Sequence, residues 1–363
     1  MRLPVMGNSF TRGRWVLNIQ GLSLGRQPRH DNGEWRQKNF SKTGAFRGQV
    51  GALGECHLFI VWAMYALSEV LNGQSTFEDK TAFAPLLPRQ GSRMKKTVLI
   101  TGASSGFGLM LATHLHQQGF NVVGTSRYPE RYASSVPFKL LRLDVDDDGS
   151  IQSFTEALFK NITTLDVLVN NAGYMVTGLA EETPIETGRQ QFETNFWGTV
   201  KVTNAVLPHL RQQKAGQIIT VSSMVGLIGP PNLSYYSASK HAVEGYFKSL
   251  RFELSQFNIH VSVIEPGWFK TNLGGNAISV AGSQIADYDN YRKKVNVVTQ
   301  KGIDEAESPQ AVVNAIVNVI ATKKPPFSHP VAKMAGMILF LQRYLPSLFE
   351  SAIFKSIASG KKL

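Results

Sequence analysis

From Thr97 onward, six short runs of nearly continuous apolar residues alternate with helical stretches, and this alternation constrains the fold more than any other feature. The runs are "TVLIT" (97–101), "NVVGTS" (121–126), "FKLLRLDV" (138–145), "LDVLVNN" (165–171), "GQIITVSS" (216–223) and "HVSVIEPG" (260–267). A strand with one face in water alternates apolar and polar residues, whereas one covered on both faces reads as an unbroken apolar run. Between the runs lie patterns with helical period, such as "LMLATHLHQQG" and "VEGYFKSLRFELSQF". Strand alternating with helix predicts an α/β fold, a single doubly wound parallel sheet with helices on both faces.

The pattern starts abruptly. Residues 1–93 are glycine-dotted and lack sustained periodicity, and Met94 is followed at once by the first strand. The organisation expected is therefore an irregular or disordered N-terminal extension over 1–93, with Met94 as the natural first residue, a folded domain over 94–328, and a tail over 329–363. Of the net charge of +12, half sits in the extension, which holds 12 Lys and Arg against 6 Asp and Glu. No compact basic run interleaved with aromatics occurs, so nucleic acid is not an expected partner. Residues 1–30 hold five arginines and no acid, but glycines and prolines interrupt any amphipathic transit helix. The apolar run "LFIVWAMYAL" (58–67) is too short to cross a membrane, which takes about 20 residues. A lone cysteine, Cys56, excludes an internal disulfide, and the eight histidines lack metal-ligand spacing. Aspartates in "DVDDDG" (144–149) imitate a calcium loop, yet Thr155 stands where that loop needs a bidentate glutamate. They are read instead as caps for a helix beginning near Ser150.

The first strand runs straight into "TGASSGFG" (101–108), which opens a helix. Gly102 allows a tight turn, Gly106 lets backbone approach a diphosphate, and Gly108 permits close helix packing, while the helix N-terminus favours the anion. Ser104 and Phe107, within the same turn, are placed with them. In this strand–turn–helix context the spacing predicts a dinucleotide site. Sites for the unphosphorylated cofactor carry a carboxylate near the end of the second strand. Here that strand ends "GTSRYPE", with Ser126 at the acidic position and Arg127 after it. An arginine can clamp a 2′-phosphate that a carboxylate would repel, so NADP(H) is the expected cofactor. The competing reading makes Arg127 a solvated loop residue.

Beyond the fifth run, Ser223 is followed thirteen residues later by Tyr236 and then by Lys240. Positions i and i+4 share one helix face, so Tyr236 and Lys240 point together, while Tyr235 is turned away to pack or to flank the site. A free phenol with a pKa of about 10 transfers protons poorly near neutrality. A nearby ammonium, with a positively charged nicotinamide, would pull it down. Tyr236 could then act as acid/base towards an alcohol or carbonyl, with Ser223 holding the substrate oxygen. Alone, Tyr-x-x-x-Lys would be a surface pair. Its position after the glycine turn and a strand-end serine makes it chemistry.

Together these motifs resemble those of the classical short-chain dehydrogenase/reductase family, a Rossmann-like fold. The resemblance covers about residues 95–275 and adds "LDV" with Asp144, "NNAG" (170–173), Asn195 in "FETNFWGTV", "YSASK" (236–240) and "PGWFKT" (266–271). It implies that Asp144 and Val145 border the adenine and that Asn171, Ala172 and Gly173 line the cofactor cleft. It further implies that Lys240 also binds the nicotinamide ribose and that Pro266, Gly267 and Thr271 contact the nicotinamide half. Asn195 would anchor a water in a proton relay; read without the family it is a satisfied polar core residue.

Residues 272–300 correspond to the family's variable lid and hold no basic cluster beyond "YRKK". With Met224, Val225, Leu227 and Ile228 after the serine, they predict a largely apolar pocket for a lipophilic alcohol or ketone such as a steroid or retinoid. The tail carries apolar residues at helical spacing, broken by Pro346 into two short helices, with Lys333, Arg343, Lys355, Lys361 and Lys362 around them. Packing on the domain or over the substrate mouth, and peripheral contact with a membrane, are the roles weighed for it. The remaining expectations are a cytoplasmic protein, no metal, and, by family analogy, a homo-oligomer. The rival from another class is a catalytically idle NADP(H) sensor of the same fold, which would have no physical need of Tyr236.

Overall fold

The computed structural model describes residues 7–11, 14–18, 95–269, 278–279 and 284–359. The chain divides into two units, Met1–Pro88 and Arg89–Leu363. In the first, strands β1 (Gly7–Thr11) and β2 (Arg14–Asn18) pair antiparallel. The rest of the expected irregular extension lies outside the described residues.

The second unit is built on a seven-stranded parallel sheet. Its strands are β3 (Thr97–Ile100), β4 (Asn121–Ser126), β5 (Lys139–Arg142), β6 (Val167–Asn170), β8 (Gly216–Val221), β9 (Ile259–Pro266) and β11 (Ser328–Val331), in the order β11-β9-β8-β6-β3-β4-β5. A short pair outside it joins β7 (Val176–Thr177) to β10 (Ile278–Ser279). All six apolar runs became strands. Successive side chains leave opposite faces of a strand, and two cores follow. Leu99, Leu168 and Ile218 enter one, against α2 (Asp148–Asn161), α4 (Thr199–Gln213) and α5 (Ser234–Ser255). Val98, Ile100, Val167, Val169 and Ile219 enter the other, against α1 (Gly106–Gln117) and α7 (Gln310–Ala321). This is the doubly wound, Rossmann-like arrangement expected.

The chain fills β3, β4 and β5 outward, then returns to place β6 on the other side of β3. That reversal leaves a crevice beyond the carboxyl ends of β3 and β6, where ligands of open α/β sheets bind. The seventh strand, "SHPV", was not expected and straddles the boundary read at residue 328. It has no apolar run because it is an edge strand, where Pro330 is tolerated. Beyond it, α8 (Ala335–Tyr344) and α9 (Pro346–Ser359) are separated at Pro346 as expected. Helix α3 (Ile185–Phe192) passes through a π-helical turn, Glu193–Gly198, into α4. Helix α6 (Asp289–Asp304) occupies the end of the expected lid region.

Candidate active site

The glycine turn sits in the crevice between β3 and β6. Gly102 and Gly106 have φ of +66° and +54°, a region that penalises side chains. Asn171, just past β6, ties the turn down: its Nδ2 donates to Thr101 O at 2.9 Å and to Gly102 O at 3.2 Å. Thr101 Oγ1 accepts in return from the Asn171 and Ala172 N–H groups at 2.9 and 3.0 Å. A Cβ on Gly108 would lie 2.4 Å from Gly102 O, whereas one on Gly106 would meet none of the described residues within 4 Å. Gly108 thus packs the turn, and Gly106 presents bare backbone to open space at a helix N-terminus. That cradle fits a dinucleotide diphosphate. Ser104 is half-buried within it, and the Phe107 ring meets Phe269 edge-on, centroids 6.0 Å apart.

Beyond the end of β4, a cavity of about 560 Å³ is lined by Arg127, Tyr128, Arg142 and Asp144 among others. Ser126 and Arg142 are register partners on adjacent parallel strands, so their side chains leave the same sheet face. Sequence reasoning missed Arg142, because only the register of β4 and β5 brings it beside Arg127. Val145 packs on the π-helical turn, where a Cβ at Gly198 would lie 2.7 Å from it. Asp147 caps α2, accepting from Gly149 and Ser150 N–H groups, as read from the sequence.

The residues expected to be reactive meet at the ends of β8 and β9. Ser223, Tyr236 and Lys240 are all buried. Ser223 Oγ donates to Pro266 O at 3.2 Å, and Lys240 Nζ donates to Val221 O at 2.9 Å while lying 5.9 Å from the Tyr236 ring centroid. Burial pushes the Tyr236 phenol up to about 12, with the neighbouring Ser223 hydroxyl pulling it down. The expected descent towards neutrality is therefore not produced by this chain's groups alone: desolvation outweighs them, and the phenol is held protonated. Burial lowers Lys240 to about 8, and the Glu244 carboxylate opposes that fall. Tyr235 packs as expected, its ring so close to α3 that a Cβ on Gly188 would lie 2.4 Å from it.

Asn195 sits in the π-helical turn, 1% exposed. Its Oδ1 accepts from Tyr174 N–H at 3.0 Å, and its Nδ2 donates to Tyr174 O at 2.9 Å and Ser239 Oγ at 3.2 Å. Its backbone carbonyl is engaged as well, accepting from Thr199 Oγ1 at 2.9 Å. Gly173 is confined by it: a Cβ there would lie 3.0 Å from Asn195 Oδ1 and 3.9 Å from Lys240 Nζ. Gly267 N–H donates to Val331 O at 2.8 Å, fixing the "PG" corner after β9. Thr271 lies outside the described residues.

Around Tyr236 the walls are apolar. Met175 and Leu233 are buried with it, and Val225 and Trp268 pack against them. Met175 and Leu233 were not anticipated, because they lie just outside the motifs; Trp268 lies within "PGWFKT" but was given no role there. Arg292, from "YRKK", is engaged elsewhere: its Nε donates to Glu182 Oε2 at 3.0 Å, its Nη2 pairs with Glu182 Oε1, and its Nη1 meets Asp289 at 2.6 Å.

A glycine turn at the switch point of a parallel sheet, with a buried Ser–Tyr–Lys set in the same domain, is an arrangement that fits a dinucleotide-binding oxidoreductase. The model of the short chain dehydrogenase family matches residues 96–279. An uncharacterized oxidoreductase of Bacillus subtilis, YusZ, is 40% identical over 73% of this chain and 99% of its own. The 3-ketodihydrosphingosine reductase of Bacteroides thetaiotaomicron is 37% identical, covering 66% of this chain and 89% of its own. Human retinol dehydrogenase 8 is 34% identical over 64% and 79%. Among solved structures, a short-chain dehydrogenase from Streptomyces avermitilis superposes with a TM-score of 0.62 at 31% identity, covering 73% of this chain and 97% of that one. ElxO with NADP bound gives 0.55 at 26%, covering 67% and 100%. The chain belongs to the short-chain dehydrogenase family, oxidoreductases acting on CH–OH and C=O groups.

Proposed function

We propose that the protein is an NADP(H)-dependent oxidoreductase that interconverts a lipophilic alcohol and its carbonyl compound, with Tyr236 as the acid/base. The observation that carries the reading is the burial of Tyr236, Lys240 and Ser223 together, with Lys240 Nζ 5.9 Å from the centroid of the phenol ring. A bound nicotinamide dinucleotide supplies or takes up the hydride. Tyr236 holds the proton that a carbonyl oxygen needs as negative charge develops on it. Ser223 Oγ orients that oxygen by donating to it in place of Pro266 O. Lys240, held by Val221 O, keeps a positive charge below the ring and stabilises the phenolate that remains after transfer. The turn at 102–108, Asn171, Ala172, Gly173, Asp144, Val145, Pro266, Gly267 and Thr271 would hold the dinucleotide.

Preference for the 2′-phosphate is supported by Ser126 in place of a carboxylate and by Arg127 and Arg142 lining one cavity. The lipophilic substrate is supported by the Met175, Leu233, Val225 and Trp268 wall and by the withdrawal of Arg292 into its bond with Glu182. The names of a sphingoid-base reductase and a retinol dehydrogenase among the relatives point the same way.

Oxidation of NADPH and of NADH against aldehydes, ketones, quinones, steroids and sphingoid ketones tests the reading. The expected result is faster turnover with NADPH on the larger apolar carbonyls, with Arg127→Ala raising KM for NADPH far more than for NADH. Equal effects on the two cofactors would refute the arginine's role.

The tail is read as a peripheral lipid contact. Tyr344, Leu345, Leu348 and Phe354 are exposed, with Arg343 and Lys355 near them in sequence. Among the described residues, no helix is long and apolar enough to cross a membrane. Flotation with anionic liposomes should recover the full chain and lose the Leu348→Glu/Phe354→Glu variant; equal recovery would remove the idea. Exposed Trp197 and Phe252 support self-association through the helices that carry Asn195 and Tyr236. A Phe252→Asp chain is expected to sediment as a smaller species, and an unchanged size would reject that surface.

A further inference from the structure

Behind Lys240, on the side away from Tyr236, two carboxyl groups are buried that the reaction does not use. Glu244 stands one helical turn after Lys240 on α5 and is 9% exposed. Glu265, near the end of β9, is 0% exposed. Buried carboxyls are costly unless paired or bonded, and these two are only partly satisfied. Glu265 Oε2 accepts from His329 N–H at 2.6 Å, which stitches β9 to β11. Among the described residues, Glu265 Oε1, Glu244 Oε1 and the buried Ser222 Oγ have no hydrogen-bond partner of ordinary geometry. Gly226 closes the space, since a Cβ there would lie 2.8 Å from Ser222 Oγ and 3.1 Å from Glu244 Cγ.

The two carboxyls are not equivalent. Glu244 faces Lys240, His241 and Lys248 on its own helix and the Ser222 hydroxyl after β8; all four favour its ionised form against the desolvation that raises it. Glu265 faces Ser328 and the His329 backbone on β11, and the charge of Glu244. Burial first, and then the charge of Glu244, raise it to about 8, against the Ser328 hydroxyl and the His329 N–H, which favour its ionised form. Glu244 therefore ionises first, opposite a neutral Glu265, and Glu265 then resists ionising against it. His329 is itself held towards neutrality by burial and Arg251. Lys240 Nζ donates to Val221 O, and Glu244 acts on it by its charge, from one helical turn away.

We propose that Glu244 is the counter-ion that keeps Lys240 an ammonium, and that Glu265 lies behind it as a neutral, proton-holding acid, so that a single buried negative charge faces the Tyr236–Lys240 unit. Both are positioning residues, and the inference rests on Lys240 serving Tyr236. Lys240 lowered to about 8 stands close to losing its charge in the working range. Glu244 supplies the field that holds it there, and a protonated Glu265 makes that field affordable in a dry interior by adding no second charge.

The test combines infrared difference spectroscopy with the pH profile of NADPH-dependent carbonyl reduction, in the wild type, Glu244→Gln, Glu265→Gln and the double variant. Wild type should show a protonated-carboxyl band at neutral pH that fades as pH rises through about 8. That band should vanish in Glu265→Gln and fade at lower pH in Glu244→Gln. The alkaline limb of activity should move to lower pH by about 1 to 3 pH units in Glu244→Gln. It should move far less in Glu265→Gln, whose amide imitates the acid up to the pH at which that acid ionises. A wild type without the band would overturn the proposal, and this needs no variant to fold. So would a limb unmoved in Glu244→Gln, or one moved equally by Glu265→Gln. Failure of the parent reading is separate: it appears as turnover surviving Tyr236→Phe, which leaves the infrared result untouched.

Discussion

Replacing Gly108 by alanine separates the packing role of the glycine turn from its binding role. The added methyl would lie 2.4 Å from Gly102 O and 2.5 Å from Asn171 Nδ2, one a backbone atom and the other already bonded to the turn. Neither can yield freely, because Asn171 Nδ2 is held at 2.9 Å by Thr101 O and at 3.2 Å by Gly102 O. Overpacking of this kind costs about 1–3 kcal/mol. Loss of the two Asn171 bonds adds about 1 kcal/mol each. The expected destabilisation of about 3–5 kcal/mol is a large part of the roughly 5–15 kcal/mol that holds a domain folded. Gly106→Ala is the control: its methyl meets none of the described residues within 4 Å, so only the left-handed backbone, φ +54°, penalises it, by about 1–2 kcal/mol. Guanidinium unfolding of both variants, with NADPH affinity followed by fluorescence, reads the two effects. Gly108→Ala should lose mostly stability, and Gly106→Ala mostly affinity, since its methyl projects where the diphosphate would lie. A Gly108→Ala chain within about 0.5 kcal/mol of wild type, the range of neutral surface changes, would refute the packing argument.

Three further outcomes are expected. Gly188→Ala should destabilise the fold by about 1–3 kcal/mol through the Tyr235 ring, and a Tyr235→Ala background should relieve most of that loss; additive losses would show that the two do not touch. Glu265, raised from 4.5 to about 8, favours folding below about pH 4.5 and loses that contribution as pH rises through about 8. Glu265→Gln should therefore gain stability relative to wild type across that window in denaturant titrations, and a constant difference would contradict a buried neutral acid. Arg292→Met should release α6 from the Glu182 turn, seen as faster limited proteolysis after Lys293 and Lys294; an unchanged cleavage rate would deny the arginine its anchoring role.

The sheet was legible because each strand buried on both faces had to be apolar along its length, and Leu99 beside Val98 and Ile100 shows the two cores that require it. The turn and the Ser223–Tyr236–Lys240 set were legible because their spacing is dictated by strand, turn and helix geometry. What escaped depends on lateral register or on burial hidden within apolar runs. Arg142 enters the cavity of Arg127 only through the pairing of β5 with β4. Strand β11 is polar and edge-bound, so it has no apolar signature. Glu265 reads as one polar residue near the end of "HVSVIEPG", and nothing local reveals that the seventh strand seals it from water. The phenol of Tyr236 differs in another way: its partners were readable, but the degree of burial that sets its proton affinity was not.

The central claim is that the Tyr236 hydroxyl delivers the proton in carbonyl reduction. Its most direct test is rapid-mixing measurement of NADPH oxidation in wild type and Tyr236→Phe, with the carbonyl compound turned over fastest in the panel. Removing a positioned general acid costs about 100- to 10,000-fold. The variant is expected to bind NADPH as wild type does while losing hydride transfer by that factor. Turnover that survives the loss of the hydroxyl would contradict the account.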